Sequence, residues 1–307
     1  MFAKCLPLDD PANQWKYCPS VPAAFILFVL FACTTLFHIF QAFRYRKTFC
    51  WVLIMGGLWE TLSFASRIAS AHSPSKKSIY DASFLLLIIS PLLINTFDYM
   101  LLGRMVTFYL PDDKLAGIRG SKMGVIFVCF DIISFIVQIG GGLLSLSKTA
   151  KTANLGLHVY TGGVIFQQLL IICFLGLTVK LKTLLRRDVS SRGTRQQGVV
   201  MIRVLRFSLL LITFRILFRV VEFSFSQGTS VNRYINHHEF FVYVFDAVPM
   251  FFALLLMNIW HPGKKLNNDV KGYSRSRSED AVFHTYDYGR STTPQNGAPR
   301  YPYTERR

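Results

Sequence analysis

The sequence lacks the short motifs that mark common nucleotide-dependent and metal-dependent enzymes. It contains no G-x-x-x-x-G-K-[ST] loop for nucleotide phosphates and no H-E-x-x-H pair for a catalytic metal. Its six cysteines form no C-x-x-C pair, and His237 and His238 are adjacent in sequence and therefore point apart. We therefore expect no metal, no cofactor and no enzymatic activity.

Acidic residues are scarce as well. The chain has 17 Asp and Glu against 34 Lys and Arg, which gives a formal net charge of +17. A nucleic-acid-binding protein concentrates such charge on one face or stripe, whereas here the basic residues fall in blocks between long apolar runs. We expect no nucleic-acid partner. Because 51% of the residues are hydrophobic, the composition favours a lipid bilayer as the solvent.

Seven segments are long enough to cross a bilayer, which takes about 20 mostly apolar residues. The second and sixth segments are the least apolar. The predicted fold is all-α, a polytopic membrane protein with a seven-transmembrane-helix bundle. The segments cover about residues 21–43, 51–70, 80–103, 122–146, 158–181, 204–225 and 239–260.

The connections between these segments predict the orientation, because cytoplasmic loops hold the excess of Lys and Arg. With the N-terminus outside and the C-terminus in the cytoplasm, the inner connections hold fourteen basic residues and the outer ones seven. The chain then divides into an extracellular segment at 1–20, a membrane domain at 21–263 and a basic cytoplasmic tail at 264–307. The tail has almost no aliphatic residues, so it is predicted to be disordered.

Two cysteines, Cys5 and Cys18, precede the first apolar run. They either form an extracellular disulfide or remain two unpaired thiols, and the sequence leaves both readings open.

Charged side chains inside the predicted helices are the first candidates for function, because each costs at least about 2.5–3.5 kcal/mol on insertion scales unless it has a partner or a wet cavity. Arg215, Arg219 and Glu222 are spaced i, i+4, i+7, so they share a face, and Arg219 can pair with Glu222. Arg215 then needs another acid. The candidates are Glu60, Asp98, Asp131 and Asp246. A structural ion-pair lattice and a substrate or proton site both fit this pattern.

Other polar residues share helix faces. Glu60 and Arg67 lie two turns apart in the second segment, as do Asp131 and Gln138 in the fourth. A glycine run at 140–142 follows Gln138, and we expect it to allow close helix packing more than to open a cavity. Proline at 91 and at 249 predicts kinks in the third and last segments.

The charged and polar residues form a series of different motifs that follow one another along about residues 17–263. This series resembles the fungal lipid-translocating exporter family, the RTA-like seven-helix proteins that include sphingoid long-chain base exporters. The motifs are Tyr17-Cys-Pro19, Glu60 with Arg67, Asp131-x-x-Ser134-x-x-x-Gln138, Gly163-x-x-x-Gln167, Arg215-x-x-x-Arg219-Val-Val-Glu222, Glu239-x-x-x-Tyr243-x-x-Asp246 and His261-Pro262-Gly263.

The resemblance implies a membrane protein that translocates or exports amphipathic lipids, such as sphingoid bases, phospholipids and sterol-like or toxic amphiphiles, and confers resistance to them. The plasma membrane is the expected location, with an internal membrane as the alternative. Its partners are then membrane lipids. The alternative function is a seven-helix sensor or receptor without transport, although the third segment has no Asp-Arg-Tyr and the seventh no Asn-Pro-x-x-Tyr. The candidate substrate-binding or proton-coupling residues are Glu60, Arg67, Asp98, Asp131, Gln138, Gln167, Arg215, Arg219, Glu222, Glu239, Tyr243 and Asp246.

Overall fold

The computed structural model describes residues 5, 7, 10, 13–15, 17–46, 48–145, 147, 149–188, 192–224, 234–235 and 237–265. The tail predicted to be disordered lies outside this range from residue 266 onward. Within the described part, seven long helices follow one another and a short helix α8 (Pro262–Lys265) ends it. The long helices are α1 (Val21–Tyr45), α2 (Cys50–His72), α3 (Lys77–Tyr109), α4 (Gly120–Ser145), α5 (Ala150–Asp188), α6 (Arg192–Ser224) and α7 (Glu239–Ile259).

Five of these helices are long and apolar enough to cross a membrane, namely α1, α3, α4, α5 and α7. The other two, α2 and α6, are the helices that correspond to the segments predicted to be least apolar. Each carries buried charged residues that lower its hydropathy, Glu60 and Arg67 in α2 and Arg215, Arg219 and Glu222 in α6. The predominantly helical membrane architecture is therefore confirmed.

The long helices form a ring in chain order. Each packs against its neighbour in sequence, α7 packs against both α6 and α1, and α3 also contacts α6. Polar groups lie inside this ring, and many large apolar side chains lie on its outer surface, including Phe37 and Phe43 of α1 and Ile136 of α4. This distribution is the one expected of a protein whose solvent is lipid.

The α3–α4 connection contains a small hairpin that the sequence analysis did not predict. Strand β1 (Lys114–Leu115) pairs antiparallel with β2 (Ile118–Arg119). The two turn residues, Ala116 and Gly117, have φ of 52° and 82°, which is the left-handed backbone that a tight two-residue hairpin requires. Leu115 is fully buried and anchors the hairpin against the helices.

The last helix is irregular, as its sequence predicted. A π-helical segment (Val242–Ala247) interrupts α7 just before Pro249. Proline cannot donate a backbone hydrogen bond, so the preceding turn rearranges, and single π turns of this kind are frequent at functional sites. Asp246 lies within this segment and is fully buried.

The N-terminal cysteines are joined. Cys5 and Cys18 form a disulfide, with their Cα atoms 5.5 Å apart. Of the two readings that the sequence left open, the structure therefore contains the disulfide. Cys33, Cys50, Cys129 and Cys173 lie within the helices and form no disulfide.

Only one glycine of the 140–142 run makes a close contact. A Cβ atom at Gly141 would collide with the backbone of Gly156 and Tyr160 on α5, whereas a Cβ at Gly140 or Gly142 would meet nothing within 4 Å. Gly141 and Gly156 therefore let the α4 and α5 backbones approach closely, which agrees with the expectation of close packing.

We predict that Gly141→Leu destabilises the protein, whereas Gly140→Leu and Gly142→Leu do not. The added side chain at Gly141 forces α4 away from α5, at a cost of roughly 1–3 kcal/mol. Thermal unfolding of the purified variants in detergent measures this difference. Equal unfolding temperatures for the three variants would show that the α4–α5 contact is not as close as described.

Candidate functional site

Asp246 joins both arginines of α6 in the bundle interior. One of its carboxylate oxygens pairs with Nε of Arg215 and the other with Nη2 of Arg219. Arg219 also donates from Nη1 to Oε2 of Glu222 at 2.8 Å. None of these four side chains is more than 10% exposed. Asp246 is therefore the acid that Arg215 requires, and we call the four residues the ion cluster.

Glu60 on α2 lies beside the ion cluster without pairing to it. It interacts electrostatically with Asp246, Arg215 and Arg219, and it is fully buried. Neither oxygen of its carboxyl group accepts a hydrogen bond from the described residues. The hydroxyl of neighbouring Ser90 donates to the Gly56 carbonyl oxygen at 2.7 Å instead. Two guanidinium groups therefore face three carboxyl groups, so charge balance requires that one carboxyl hold a proton.

A small cleft lies between α3, α4, α5 and α6 and reaches the two arginines. Its walls combine apolar side chains with a few polar ones, which is the usual composition of a small-molecule site. The apolar walls consist of Ile88, Pro91, Leu92, Phe135, Val164 and Ile216, and the polar lining consists of Gln138, Tyr160, Gln167, Arg215 and Arg219.

The two cleft glutamines are held by each other. Gln138 donates from Nε2 to Oε1 of Gln167 at 3.0 Å and to Oγ of Ser134 at 3.1 Å. Ser134 in turn donates to the Gly163 carbonyl oxygen at 2.7 Å. These bonds tie α4 to α5 and fix the amide groups that face the cleft.

Two other buried acids serve different contacts. Asp131 accepts from Nδ2 of Asn95 at 3.3 Å, which links α4 to α3. Asp98 accepts from Oγ of Ser208 at 2.8 Å, which links α3 to α6. Both acids are fully buried, but neither forms an ion pair among the described residues and neither lines the cleft.

Another set of polar residues, which we call the Arg67 cluster, lies where the N-terminal segment meets α2 and α7. Arg67 pairs with Glu239 at 3.0 Å and donates to the hydroxyl groups of Tyr17 and Tyr243. The Tyr243 hydroxyl also donates to Glu239. Burial raises the pKa of Tyr17 above its ordinary value, so its hydroxyl stays protonated at neutral pH.

The structure thus distributes the predicted residues over separate places. The ion cluster contains Arg215, Arg219, Glu222 and Asp246, with Glu60 beside it. Gln138 and Gln167 line the cleft with the two arginines. The Arg67 cluster contains Arg67, Glu239 and Tyr243, while Asp98 and Asp131 each link α3 to another helix.

Sequence reasoning missed two contributors. Tyr160 lines the cleft, but a tyrosine in an apolar helix carries no distinguishing signal. Tyr17 was noted only as part of the Tyr17-Cys-Pro19 motif, and nothing in that motif indicates that its hydroxyl reaches Arg67.

Comparison with known proteins identifies the family. The family model for "RTA1 like protein" matches residues 53–269, which is more than half of the chain. The chain belongs to the RTA1-like family. It is 33% identical over 297 residues to a probable lipid transporter, atnI, of Emericella nidulans, an alignment that covers 90% of this chain and 77% of the relative.

Two yeast relatives extend the comparison. The chain is 32% identical over 209 residues to Protoporphyrin uptake protein 1 of Saccharomyces cerevisiae, covering 66% of this chain and 65% of that protein. It is 22% identical over 284 residues to the sphingoid long-chain base transporter RSB1 of the same species, covering 80% and 72%. No solved structure matches. The family and the apolar helices together show that the chain is a multi-pass integral membrane protein.

We predict that Asp246→Asn destabilises the protein far more than Glu60→Gln. Removing the Asp246 charge leaves Arg215 without its carboxylate partner, and breaking a buried pair costs about 3–5 kcal/mol. Glu60 accepts no hydrogen bond from the described part of the chain and pairs with neither arginine, so its amide counterpart is tolerated. Thermal unfolding of both variants in detergent tests this ranking. A Glu60→Gln variant that unfolds as early as Asp246→Asn would contradict it.

Proposed function

We propose that this protein translocates amphipathic lipids across its membrane and that the cleft between α3, α4, α5 and α6 binds them. The supporting observation is that one cleft joins two guanidinium groups and two amides to a wall of apolar side chains. A lipid has the same division into a polar headgroup and an apolar tail. The names of the lipid-transporting relatives support the same role.

The polar end of the cleft suits a hydroxylated or acidic headgroup. The guanidinium groups of Arg215 and Arg219 are hydrogen-bond donors, and the amides of Gln138 and Gln167 both donate and accept. Charge-assisted hydrogen bonds of this type are stronger than those between neutral groups. The tail then lies along the apolar wall, where Phe135 and Ile216 contribute contact area.

Charge balance links binding to protons. The carboxylates of Asp246 and Glu222 already neutralise the two arginines. An anionic headgroup would leave the ion cluster with an excess negative charge in a low-dielectric interior unless a carboxyl group takes up a proton. We therefore infer that an acidic headgroup enters together with a second proton, which Asp246 or Glu222 takes up because Glu60 already holds the first, whereas a neutral hydroxylated headgroup enters without one.

The cellular role follows from this activity. We infer that the protein resides in the plasma membrane and moves sphingoid bases, phospholipids or sterol-like amphiphiles, which protects the cell against toxic ones. The relatives named for sphingoid long-chain base transport and protoporphyrin uptake support amphipathic substrates of more than one kind.

The topology belongs to the same proposal. We infer that α2 and α6 cross the membrane with the other five helices. Their charged residues are turned into the bundle, where Glu60 is fully buried and Arg219 is 4% exposed, so these charges do not face lipid. The N-terminus then lies outside and the tail in the cytoplasm.

We predict that an epitope tag before residue 1 is bound by antibody in intact cells, whereas a tag after residue 307 is bound only after permeabilisation. This result follows from an odd number of spans and the excess of basic residues in the inner connections. Immunofluorescence of the two tagged proteins, each checked for normal expression, measures it. Binding of both tags on the same side would exclude seven spans.

We predict that Gln167→Leu slows lipid translocation roughly three- to tenfold, because one hydrogen bond to the headgroup is lost. Gln168→Leu is the matched control: Gln168 lies next in sequence but does not line the cleft and bonds Thr213 at 3.4 Å. The measurement is movement of a fluorescent sphingoid base and a fluorescent phospholipid in proteoliposomes.

Protein-free liposomes give the background rate of lipid movement. If the unmodified protein moves neither lipid above that background, with or without a pH gradient, the proposed function is wrong. If the two glutamine variants are equally slow, the cleft is not the binding site.

A further inference from the structure

We propose that residues 13–15 and 17–20 form a lid over one end of the helix bundle, and that Arg67, Glu239 and Tyr17 are the latch that holds it closed. The proposal depends on the proposed function in one respect, namely that lipids pass through the interior of the helix bundle. The lid itself is argued from contacts between the N-terminal segment and the helices.

The latch joins three parts of the chain through two charged groups. Arg67 of α2 donates from Nη2 both to Oε1 of Glu239, at 3.0 Å, and to the Tyr17 hydroxyl. The second Glu239 oxygen accepts the backbone N–H of Ser20 at 2.7 Å. Glu239 of α7 therefore holds Arg67 with one oxygen and the backbone of the N-terminal segment with the other.

Trp15 covers the helix ends beside the latch. Its indole N–H donates to Oγ of Ser70 at 3.2 Å, and its ring packs edge-on against Tyr80 of α3 with the centroids 4.9 Å apart. The Arg67 guanidinium carbon lies 4.8 Å from the Trp15 ring centroid, which is a cation–π distance. Trp15 is 4% exposed although it lies outside any helix. The segment thus contacts α2, α3 and α7 together.

The lid closes the end of the interior that leads to the ion cluster. On α2, Arg67 lies seven residues from Glu60, and on α7, Glu239 lies seven residues from Asp246, so each pair is separated by about 10 Å along its helix. Phe64 lies between the two levels and packs against Tyr243, with ring centroids 6.2 Å apart. Groups entering from this end must pass the lid and then this aromatic layer.

The disulfide restrains the lid at its outer edge. Cys18 follows Tyr17 directly and is bonded to Cys5, which closes a loop between residues 13 positions apart. Ser20 then caps the start of α1, where its hydroxyl accepts the N–H of Ala23 at 3.4 Å. Most of the lid therefore lies within the loop that the disulfide closes, and its last residues lead into α1. It is held by a few polar contacts, and such segments open at lower free energy than packed helices.

Reagent access beneath the lid tests the proposal without any lipid transport. Ser63 is 3% exposed and lies one turn along α2 from Arg67, so Ser63→Cys places a thiol of nearly the same size under the latch. The reporter is made in full-length protein with the four cysteines outside the disulfide replaced by alanine and the disulfide kept. The protein is placed in lipid nanodiscs, treated with a membrane-impermeant maleimide, and labelling of the reporter is followed by mass spectrometry.

We expect Tyr17→Phe to raise the labelling rate about tenfold, which corresponds to about 1.4 kcal/mol. The variant keeps the ring and loses only the hydroxyl that Arg67 bonds. Cys5→Ser with Cys18→Ser should raise the rate as well, because it releases the loop. Tyr234→Phe is the matched control, since Tyr234 is 59% exposed and its ring packs against His238 and Phe241.

Thermal unfolding and size-exclusion profiles confirm that each variant is folded before its rate is compared. If Tyr17→Phe and the disulfide variant both label at the unmodified rate, the N-terminal segment is not a lid. The same conclusion follows if Tyr234→Phe accelerates labelling equally. Since the assay measures access of the reagent to a thiol and not movement of lipid, these outcomes are independent of whether the protein moves lipids.

Discussion

Burying charge inside a bilayer is the constraint on which the rest of this structure depends. Two guanidinium groups on α6 would each be costly in a low-dielectric interior. Asp246, whose two oxygens bind one arginine each, offsets them together with Glu222. That contact requires α6 and α7 to pack together and places the π-helical segment of α7 where Asp246 points inward. The Asp246 carboxylate is therefore a direct link between α6 and α7 in the helix ring.

The same constraint explains why hydropathy alone recovers part of the fold. The positions of the long helices follow from the apolar runs, and the predicted starts of α1 and α7 coincide with those of the structure. Helices α2 and α6 are less apolar than the other five because they carry several charged residues. Those residues are buried among the neighbouring helices. Hydropathy measures the cost of facing lipid, and these residues do not face it.

The contacts between charged side chains were harder to predict than the positions of the helices. The spacing of Arg219 and Glu222 predicts their contact because both lie on one helix, and the structure contains it. Four acids were candidates for Arg215, since the choice depends on packing between helices distant in sequence. The contact of Tyr17 with Arg67 spans fifty positions and had no local signal. The α3–α4 hairpin was missed because each strand has only two residues, too few for an alternating pattern.

The proposed binding cleft and lid share this charged interior. The cleft meets the arginines from the side of α3, α4 and α5, whereas the lid lies at the end of α2 and α7, two helical turns from Glu60 and Asp246. Glu60 lies beside the ion cluster, and its carboxyl group accepts no hydrogen bond from any described residue. The central claim is that the ion cluster receives a lipid headgroup while remaining electrically neutral.

Calorimetry of ligand binding in buffers of different ionisation enthalpy tests this claim most directly, because the buffer dependence reports protons exchanged. The ligands are a long-chain alkyl sulfonate, which stays ionised, and the alcohol of the same chain length. The account predicts that both bind, that the sulfonate brings a proton into the protein and that the alcohol does not. Sulfonate binding with no proton uptake in any buffer would contradict it.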